Sequence, residues 1–157
     1  TLTDLGKNAA LTVIRKHRLW ETFLVDKLKY SWDEVHYIAE QLEHIKSEDL
    51  VNRLDDFLGN PKHDPHGDPI PDKNGVINLK QATLLHNLDK NQYGVVVGVD
   101  DSSNLFLKYL NRLQISLGSK IEVIEKIEFD QSIEIKINNK DAVTISADVA
   151  QNIFLEA

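Results

Sequence analysis

The sequence contains no cysteine, and this absence restricts the chemistry of any site in the chain. Disulfides, iron–sulfur clusters and thiolate-bound zinc are excluded, so a bound metal ion would need histidine, carboxylate, carbonyl or water ligands. Methionine is absent as well, even at position 1, and the chain begins inside what already reads as a helix. We therefore expect a piece of a longer protein, with something removed upstream.

The chain also has few residues that break regular structure, and it has no long apolar run. Only 7 Gly and 4 Pro occur among 157 residues, which is typical of a globular protein. Neither a membrane-spanning stretch nor a signal peptide is visible, so we expect a cytoplasmic protein with no membrane partner. Asp and Glu number 25 against 18 Lys and Arg, which gives a formal net charge of -7. This acidic balance predicts that the chain binds DNA poorly by itself.

The first part of the chain has the periodicity of helices. One helix is predicted from about Asp4 to Lys29, with Thr3 as its N-cap. A Ser-x-x-Glu capping box begins a second helix at Ser31, and this helix should end near Ile45. In such a box the side chains of the serine and the glutamate each accept a hydrogen bond from the other residue's backbone amide.

A third helix and a turn-rich segment follow. Ser47 is the predicted N-cap of the third helix, and Gly59 with Pro61 should end it. Residues 60–75 contain all 4 Pro and are predicted to form an ordered linker. The expected apolar stripe of the third helix consists of Leu50, Leu54, Phe57 and Leu58.

Beyond the linker, apolar residues alternate with a period of two, which indicates strands. A turn at Asn138 and Asn139 connects two of them, and one helix is expected near residues 103–113. Short strands with a single helix are typical of a small SH3-like barrel. The sequence thus predicts an α+β fold, with a helical domain at residues 1–71 and an SH3-like domain at residues 76–157. The predicted strands cover residues 95–97, 121–127, 133–137, 142–145 and 152–155.

Two ionisable side chains fall inside the apolar stripe of the first helix. His17 and Glu21 lie one turn apart, at positions where leucine would be expected. Burial of a lone carboxylate is costly, so Glu21 needs a partner, and either the histidine or a metal ion could serve. The apolar members of the stripe are Ala10, Ile14, Leu24, Val25 and Leu28.

Four more residues with ligand side chains occupy one face of the second helix, within an arc of roughly 100°. They are His36, Glu40, Glu43 and His44. Two histidines and two carboxylates beside an apolar face suit Mn²⁺, Fe²⁺, Co²⁺, Ni²⁺ or Zn²⁺ better than Ca²⁺. A single His–Glu pair is common on solvated helix faces, but two sets on consecutive helices favour a metal site.

Other candidate residues have simpler explanations. His63 and His66 stand beside Pro and Asp in a loop, so we expect exposed turn residues there, and we expect no ligand role for His86 either. Trp20 and Phe23, with Val13 and Leu19, form a second apolar face on the first helix. This face predicts a partner subunit, although burial within the helical domain explains it nearly as well.

The helical part of the chain contains four segments, which are RKHRLWETFLV (15–25), WDEVHYIAEQLEH (32–44), SEDLVNRLDDFLG (47–59) and DPHGDPIP (64–71). In this order and spacing they resemble the diphtheria toxin repressor family of iron- and manganese-dependent repressors. The opening LTDLGKNAA is similar to the stretch that follows the wing of the family's N-terminal winged helix, so residues 1–3 would be its remnant. The later segments LFLKYLNRLQISLGSKIEVI and DVAQNIFL resemble the family's SH3-like domain, which is related to ferrous-iron-transport protein A.

The resemblance implies two metal sites. It makes His17, Glu21 and His36 one site, called ancillary in the family, and makes three residues of the second helix ligands of the primary site. Iron-type members have Cys where this chain has Glu40, and a carboxylate oxygen in place of sulfur favours Mn²⁺. Because the primary site takes further ligands from the N-terminal domain, it should be incomplete here. Its ligands in this chain would be Glu40, Glu43 and His44.

The resemblance also predicts the function. We expect the metal-sensing and dimerisation region of a Mn²⁺- or Fe²⁺-dependent repressor, a homodimer that contacts operator DNA only through its N-terminal domain. The rivals are a metalloenzyme, for which no catalytic motif is visible, and a metal-independent adaptor whose SH3-like domain binds a peptide. Relatives with an SH3-like domain can lend a Glu and a Gln to the ancillary site. Candidates for that role in this chain are Asp100, Asp101 and Asn104.

Overall fold

The computed structural model describes residues 3–157, and the chain divides into two compact units between Leu79 and Lys80. The sequence placed this boundary a few residues earlier, between residues 71 and 76. The first unit consists of helices and a turn-rich segment, whereas the second contains a six-stranded sheet. The predicted α+β class is therefore confirmed. Within the part of the chain described, none of the helices has the length and apolar character that crossing a membrane requires.

Helix α1 spans Asp4–Asp26 and begins as the sequence predicts. The Thr3 side chain accepts a hydrogen bond of 3.1 Å from the backbone N–H of Gly6, which is the expected N-cap interaction. The helix ends before the predicted Lys29. That residue has a φ of 63°, which a right-handed helix cannot contain.

Helix α2 spans His36–Leu42, so it is shorter at both ends than the predicted segment. Only half of the expected capping box forms: the Glu34 carboxylate accepts from the Ser31 N–H at 3.0 Å, while the Ser31 hydroxyl donates to Asp33. The residues that follow the box make a turn before the helix begins. At the other end, Glu43 lies at the C-cap, beyond the last helical residue.

Helix α3 spans Glu48–Phe57, with the Ser47 side chain accepting from the Leu50 N–H at 3.2 Å. The predicted apolar stripe is wrong in part, because Leu50 is 39% exposed and Phe57 is 63% exposed. Leu54 of that stripe is buried as predicted, together with Val51, and α3 packs on α1. The buried core of the first unit comprises Leu19, Trp20, Leu24, Val35, Ala39, Val51, Leu54 and Ile70.

The segment after α3 is ordered and partly buried. Gly59 and Asn60 have φ values of 81° and 55°, which turn the chain out of the helix. The Asp64 carboxylate then accepts from the backbone N–H groups of His66 at 2.8 Å and Asp68 at 2.9 Å. These bonds close a compact turn against the helical core. The expectation that His66 is exposed is therefore wrong, because only 2% of it is accessible.

The second unit contains one antiparallel sheet, in which the strands lie in the order Thr83–Leu84 (β1), Ile153–Glu156 (β6), Tyr93–Val99 (β2), Lys120–Lys126 (β3), Ile133–Ile137 (β4) and Ala142–Ile145 (β5). The predicted hairpin turn is present, with φ values of 50° at Asn138 and 61° at Asn139. Alternate residues of the strands face a core of Val and Ile side chains. The α-helices of this unit are α4 Asn104–Arg112 and α5 Ala147–Ala150.

Candidate metal centre

Helices α1 and α2 bring three of the predicted ligands together. His17 and Glu21 lie one turn apart on α1, and the Nε2 atom of His17 is 2.9 Å from Oε1 of Glu21. The Nδ1 atom of His36, at the start of α2, lies 3.2 Å from His17 Nε2 and 3.4 Å from Glu21 Oε1. Two imidazole nitrogens and one carboxylate oxygen thus form a nearly equilateral triangle.

The dimensions of this triangle fit a divalent transition metal. Metal–ligand distances of about 2.1 Å place neighbouring ligands of an octahedral or tetrahedral ion about 3.0–3.4 Å apart. The donor set of two nitrogens and one oxygen suits Mn²⁺, Fe²⁺, Co²⁺, Ni²⁺ and Zn²⁺. The residues present therefore fit the predicted ion, and His17, Glu21 and His36 are the side chains that would hold it.

A second cluster lies on the other side of the same carboxylate. The Oε2 atom of Glu21 is 3.5 Å from Nδ1 of His66, and Oδ2 of Asp64 is 3.8 Å from the same nitrogen. All three residues are buried, and their ligand atoms are close enough together to hold an ion. Glu21 therefore belongs to two possible ligand sets, one through each of its oxygens.

The orientation of His66 is fixed by the backbone of another segment. Its Nε2 atom lies 2.7 Å from the carbonyl oxygen of Trp32, so Nε2 must donate and Nδ1 must face the carboxylates. The Trp32 ring also stacks on the imidazole, with ring centroids 6.1 Å apart and an interplanar angle of 14°. Metal-ligating histidines usually donate a hydrogen bond from one ring nitrogen and bind the metal through the other. His66 has this arrangement, because Nε2 donates to the Trp32 carbonyl and Nδ1 faces the carboxylates.

Sequence reasoning missed Asp64 and His66. The available signal was the composition of residues 60–75, a segment predicted to be ordered that contains several Asp and two His residues. What the sequence did not reveal was the burial of the loop against α1 and the segment before α2, which places its carboxylate and imidazole beside Glu21.

The charges of these two clusters are strongly coupled. Burial alone would raise the pKa of the Glu21 carboxyl, but the hydrogen bonds from His17 and His66 hold that pKa well below its usual range. Burial alone would lower the pKa of His66, yet its contacts with Asp64 and Glu21 raise it to about 10. His17 behaves likewise: Glu21 and Glu43 raise its pKa despite burial. The carboxylates therefore favour the protonated, positively charged form of both imidazoles.

The other three predicted ligands do not converge. Glu43 Oε2 lies 2.6 Å from Nδ1 of His17, which joins it to the first cluster, whereas Glu40 Oε1 is 3.7 Å from His36 Nε2. His44 is exposed. Among residues 3–157, Glu40, Glu43 and His44 do not form a cluster of ligand atoms of their own. Glu43 keeps helical backbone angles at the C-cap and turns its side chain towards His17, whereas His44 lies in the turn after α2.

The candidate residues of the second unit have a local structural role. The Asp101 side chain accepts from the Ser103 N–H at 2.8 Å, and Ser103 caps α4 by accepting from Phe106. Asp100 is exposed and Asn104 is the first residue of the helix. The predicted ligand role of these residues stays a prediction.

Two family models match the chain, one for each unit. Residues 3–72 match the model described as iron dependent repressor, metal binding and dimerisation domain, and residues 83–157 match the FeoA domain. Iron-dependent repressor IdeR of Mycobacterium tuberculosis is 49% identical over 78 residues, which are 50% of this chain and 33% of that protein. The chain therefore spans about a third of the length of this curated relative.

Longer matches cover both units. The diphtheria toxin repressor of Corynebacterium diphtheriae is 29% identical over 168 residues, covering 99% of this chain and 71% of that protein. A solved structure of a manganese-dependent transcriptional repressor complex with manganese superposes with a TM-score of 0.90 at 41% identity, covering 99% of this chain and 73% of that one. The chain thus belongs to the family of metal-dependent transcriptional repressors, with a metal-binding and dimerisation domain followed by a FeoA domain.

Proposed function

We propose that this chain is the metal-sensing and dimerisation region of a cytoplasmic repressor whose affinity for operator DNA depends on Mn²⁺ or Fe²⁺. The observation that carries the proposal is the position of Glu21. It is 2% exposed, and its two oxygens face two separate histidine-containing clusters. Burial of a carboxylate among several metal-ligand side chains is costly unless protons or a cation balance the charge.

A metal ion at Glu21 would join parts of the chain that are distant in sequence. His17 and Glu21 come from α1, His36 begins α2, and Asp64 with His66 lies in the turn after α3. When bound, the ion supplies a positive charge that holds these ligands at fixed distances. Metal binding would therefore favour the conformations in which α1, the start of α2 and the turn after α3 hold these ligands together. We propose that this shift in the population of conformations controls DNA binding.

The ligand chemistry narrows the choice of ion. The clusters contain imidazole and carboxylate groups and no sulfur, which suits Mn²⁺ and Fe²⁺, and Co²⁺, Ni²⁺ or Zn²⁺ can substitute. The relatives differ in the metal they are named for, with an iron-dependent repressor among the sequences and a manganese-dependent one among the structures. For Glu40, Glu43 and His44 we keep a weaker second site as a proposal, because it would need further ligands.

We also propose that the chain forms a homodimer through its helical unit. The predicted second apolar face of α1 needs revision, since Leu19 and Trp20 are buried inside the unit. Phe23 packs next to Phe57, with ring centroids 6.4 Å apart, and Phe57 is largely exposed. Lys27 lies over the same ring, 5.1 Å from its centroid. This exposed aromatic surface is what we assign to the partner subunit.

Calorimetric titration under anaerobic conditions tests the proposal directly. The chain should bind Mn²⁺ or Fe²⁺, and the protein that contains it should bind operator DNA more tightly in the presence of the metal than with a chelator. Failure of the purified chain to bind any divalent transition metal would refute the metal-sensing role. Metal binding without any effect on DNA affinity would refute the repressor role, and absence of metal binding would leave the metal-independent adaptor as the alternative.

A further inference from the structure

The imidazole of His17 lies between two carboxylates that come from different helices. On one side Nε2 is 2.9 Å from Glu21 Oε1, and on the other side Nδ1 is 2.6 Å from Glu43 Oε2. All three side chains are largely buried, with 15% of His17, 3% of Glu21 and 17% of Glu43 exposed. Each ring nitrogen therefore has its own carboxylate partner.

The two nitrogens cannot serve the same purpose once a metal ion is bound. Nε2 faces both Glu21 and His36, so it is the nitrogen that belongs to the ligand triangle, and a nitrogen that binds a metal carries no proton. The single proton of a neutral imidazole must then lie on Nδ1. Oε2 of Glu43 is in position to accept a hydrogen bond from this N–H group.

We propose that Glu43 is a positioning residue for the metal site of His17, Glu21 and His36: it holds the Nδ1 proton of His17 and so directs Nε2 to the ion. This inference rests on the proposed metal-binding function. Glu43 contacts His17 through Oε2, so this role is compatible with the ligand role that we keep as a proposal for Glu43 at the second site.

The local fold explains why Glu43 can do this. It occupies the C-cap of α2, where its N–H donates to the carbonyl of Ala39 at 2.9 Å, and Ala39 is fully buried in the helical core. Its backbone is thus anchored. Its backbone is still helical, with φ of -64° and ψ of -16°, and its side chain reaches from α2 to His17 on α1.

Outer carboxylates of this kind affect metal binding measurably. Loss of a residue that orients a ligating histidine typically weakens metal affinity by roughly 10- to 100-fold, since the ring is no longer held in one orientation and tautomer. A glutamine retains a carbonyl oxygen that can accept from Nδ1. Glu43→Gln should therefore lose less affinity than Glu43→Ala.

The test uses Zn²⁺ as a diamagnetic probe of the whole chain. Nitrogen-15 spectra of the zinc-loaded wild type should show a proton on His17 Nδ1 and none on Nε2. In calorimetry, Glu43→Ala should bind Zn²⁺ roughly 10- to 100-fold more weakly than wild type, and Glu43→Gln less than tenfold more weakly. Asp56→Ala, which removes an exposed carboxylate from α3, should leave affinity unchanged.

Each possible result decides the proposal. An unprotonated Nδ1 in the zinc-loaded wild type overturns it, and this measurement does not depend on how any variant folds. Equal losses for Glu43→Gln and Glu43→Ala would overturn the positioning role, because the glutamine carbonyl can still accept a hydrogen bond from Nδ1. If the wild type bound no metal, the proposed function would fail; if it bound metal and Glu43→Ala did so equally well in a folded state, only the positioning role would fail.

Discussion

Oε2 of Glu21 lies 3.5 Å from Nδ1 of His66, although one residue is in the middle of α1 and the other is in the turn after α3. This contact joins the predicted histidine–glutamate triangle to a second group that contains Asp64. Glu21 consequently determines the charge of both clusters. The consequences of this arrangement can be measured by changing one side chain at a time.

Glu21→Gln should weaken metal binding by at least about tenfold, because the amide keeps the shape of the side chain but removes the charge that both clusters share. Calorimetric titration with Mn²⁺ measures this effect. Glu128→Gln is the matched control, since it removes an exposed carboxylate in the second unit. Equal Mn²⁺ affinities for wild type and Glu21→Gln would contradict the assignment of this site.

His66→Phe tests the second cluster. The apolar ring can keep the stacking on Trp32, but the Trp32 carbonyl loses its donor, so the free energy of unfolding should fall by at least about 1–3 kcal/mol. Metal affinity should fall as well if Nδ1 is a ligand. Thermal denaturation and calorimetry separate the two effects. A variant that loses stability but binds metal like the wild type would show that His66 only neutralises Glu21.

The first cluster could be predicted from the sequence because a helix has a fixed period. His17 and Glu21 lie one turn apart in an apolar stripe, and the spacing alone places them on the same buried face. His36 is grouped with them only through the family resemblance, because the helical period places it with Glu40, Glu43 and His44. The predicted convergence of these three residues is what the structure shows.

The parts that could not be predicted depend on tertiary contacts or on where a helix ends. The burial of His66 follows from the packing of an irregular loop, for which no periodic pattern exists. The position of His44 in a turn could not be predicted, because helix ends are less strongly determined by sequence than helix interiors.

Metal affinity and metal-free stability should respond to pH in opposite directions. Burial lowers the pKa of His66, but Asp64 and Glu21 raise it to about 10, above the value of 6.5 expected in the unfolded chain. The charged imidazole therefore stabilises the metal-free fold below pH 6.5, and this contribution is lost as the pH rises towards 10. Metal affinity should increase over the same range, because ligating histidines must lose a proton.

Chemical denaturation of the metal-free protein and Mn²⁺ titration, each at several pH values between 6.5 and 10, measure the two slopes. His66→Phe should flatten the dependence of metal-free stability on pH. If stability of the wild type stayed constant or rose over this range, the proton on His66 would not be balancing the buried carboxylates.

Phe57→Asp should dissociate the proposed dimer without unfolding the chain. Phe57 is 63% exposed, packs beside Phe23 and lies under Lys27, so a charge there would be buried only when two subunits associate. Loss of an apolar residue that anchors an interface costs at least about 2 kcal/mol of binding free energy, so association should weaken roughly 30-fold. Phe129→Asp is the control, because Phe129 is 97% exposed but belongs to the second unit. In sedimentation experiments at micromolar concentration, wild type and Phe129→Asp should be dimers and Phe57→Asp a monomer; a dimer that Phe129→Asp alone disrupts would move the interface to the FeoA domain.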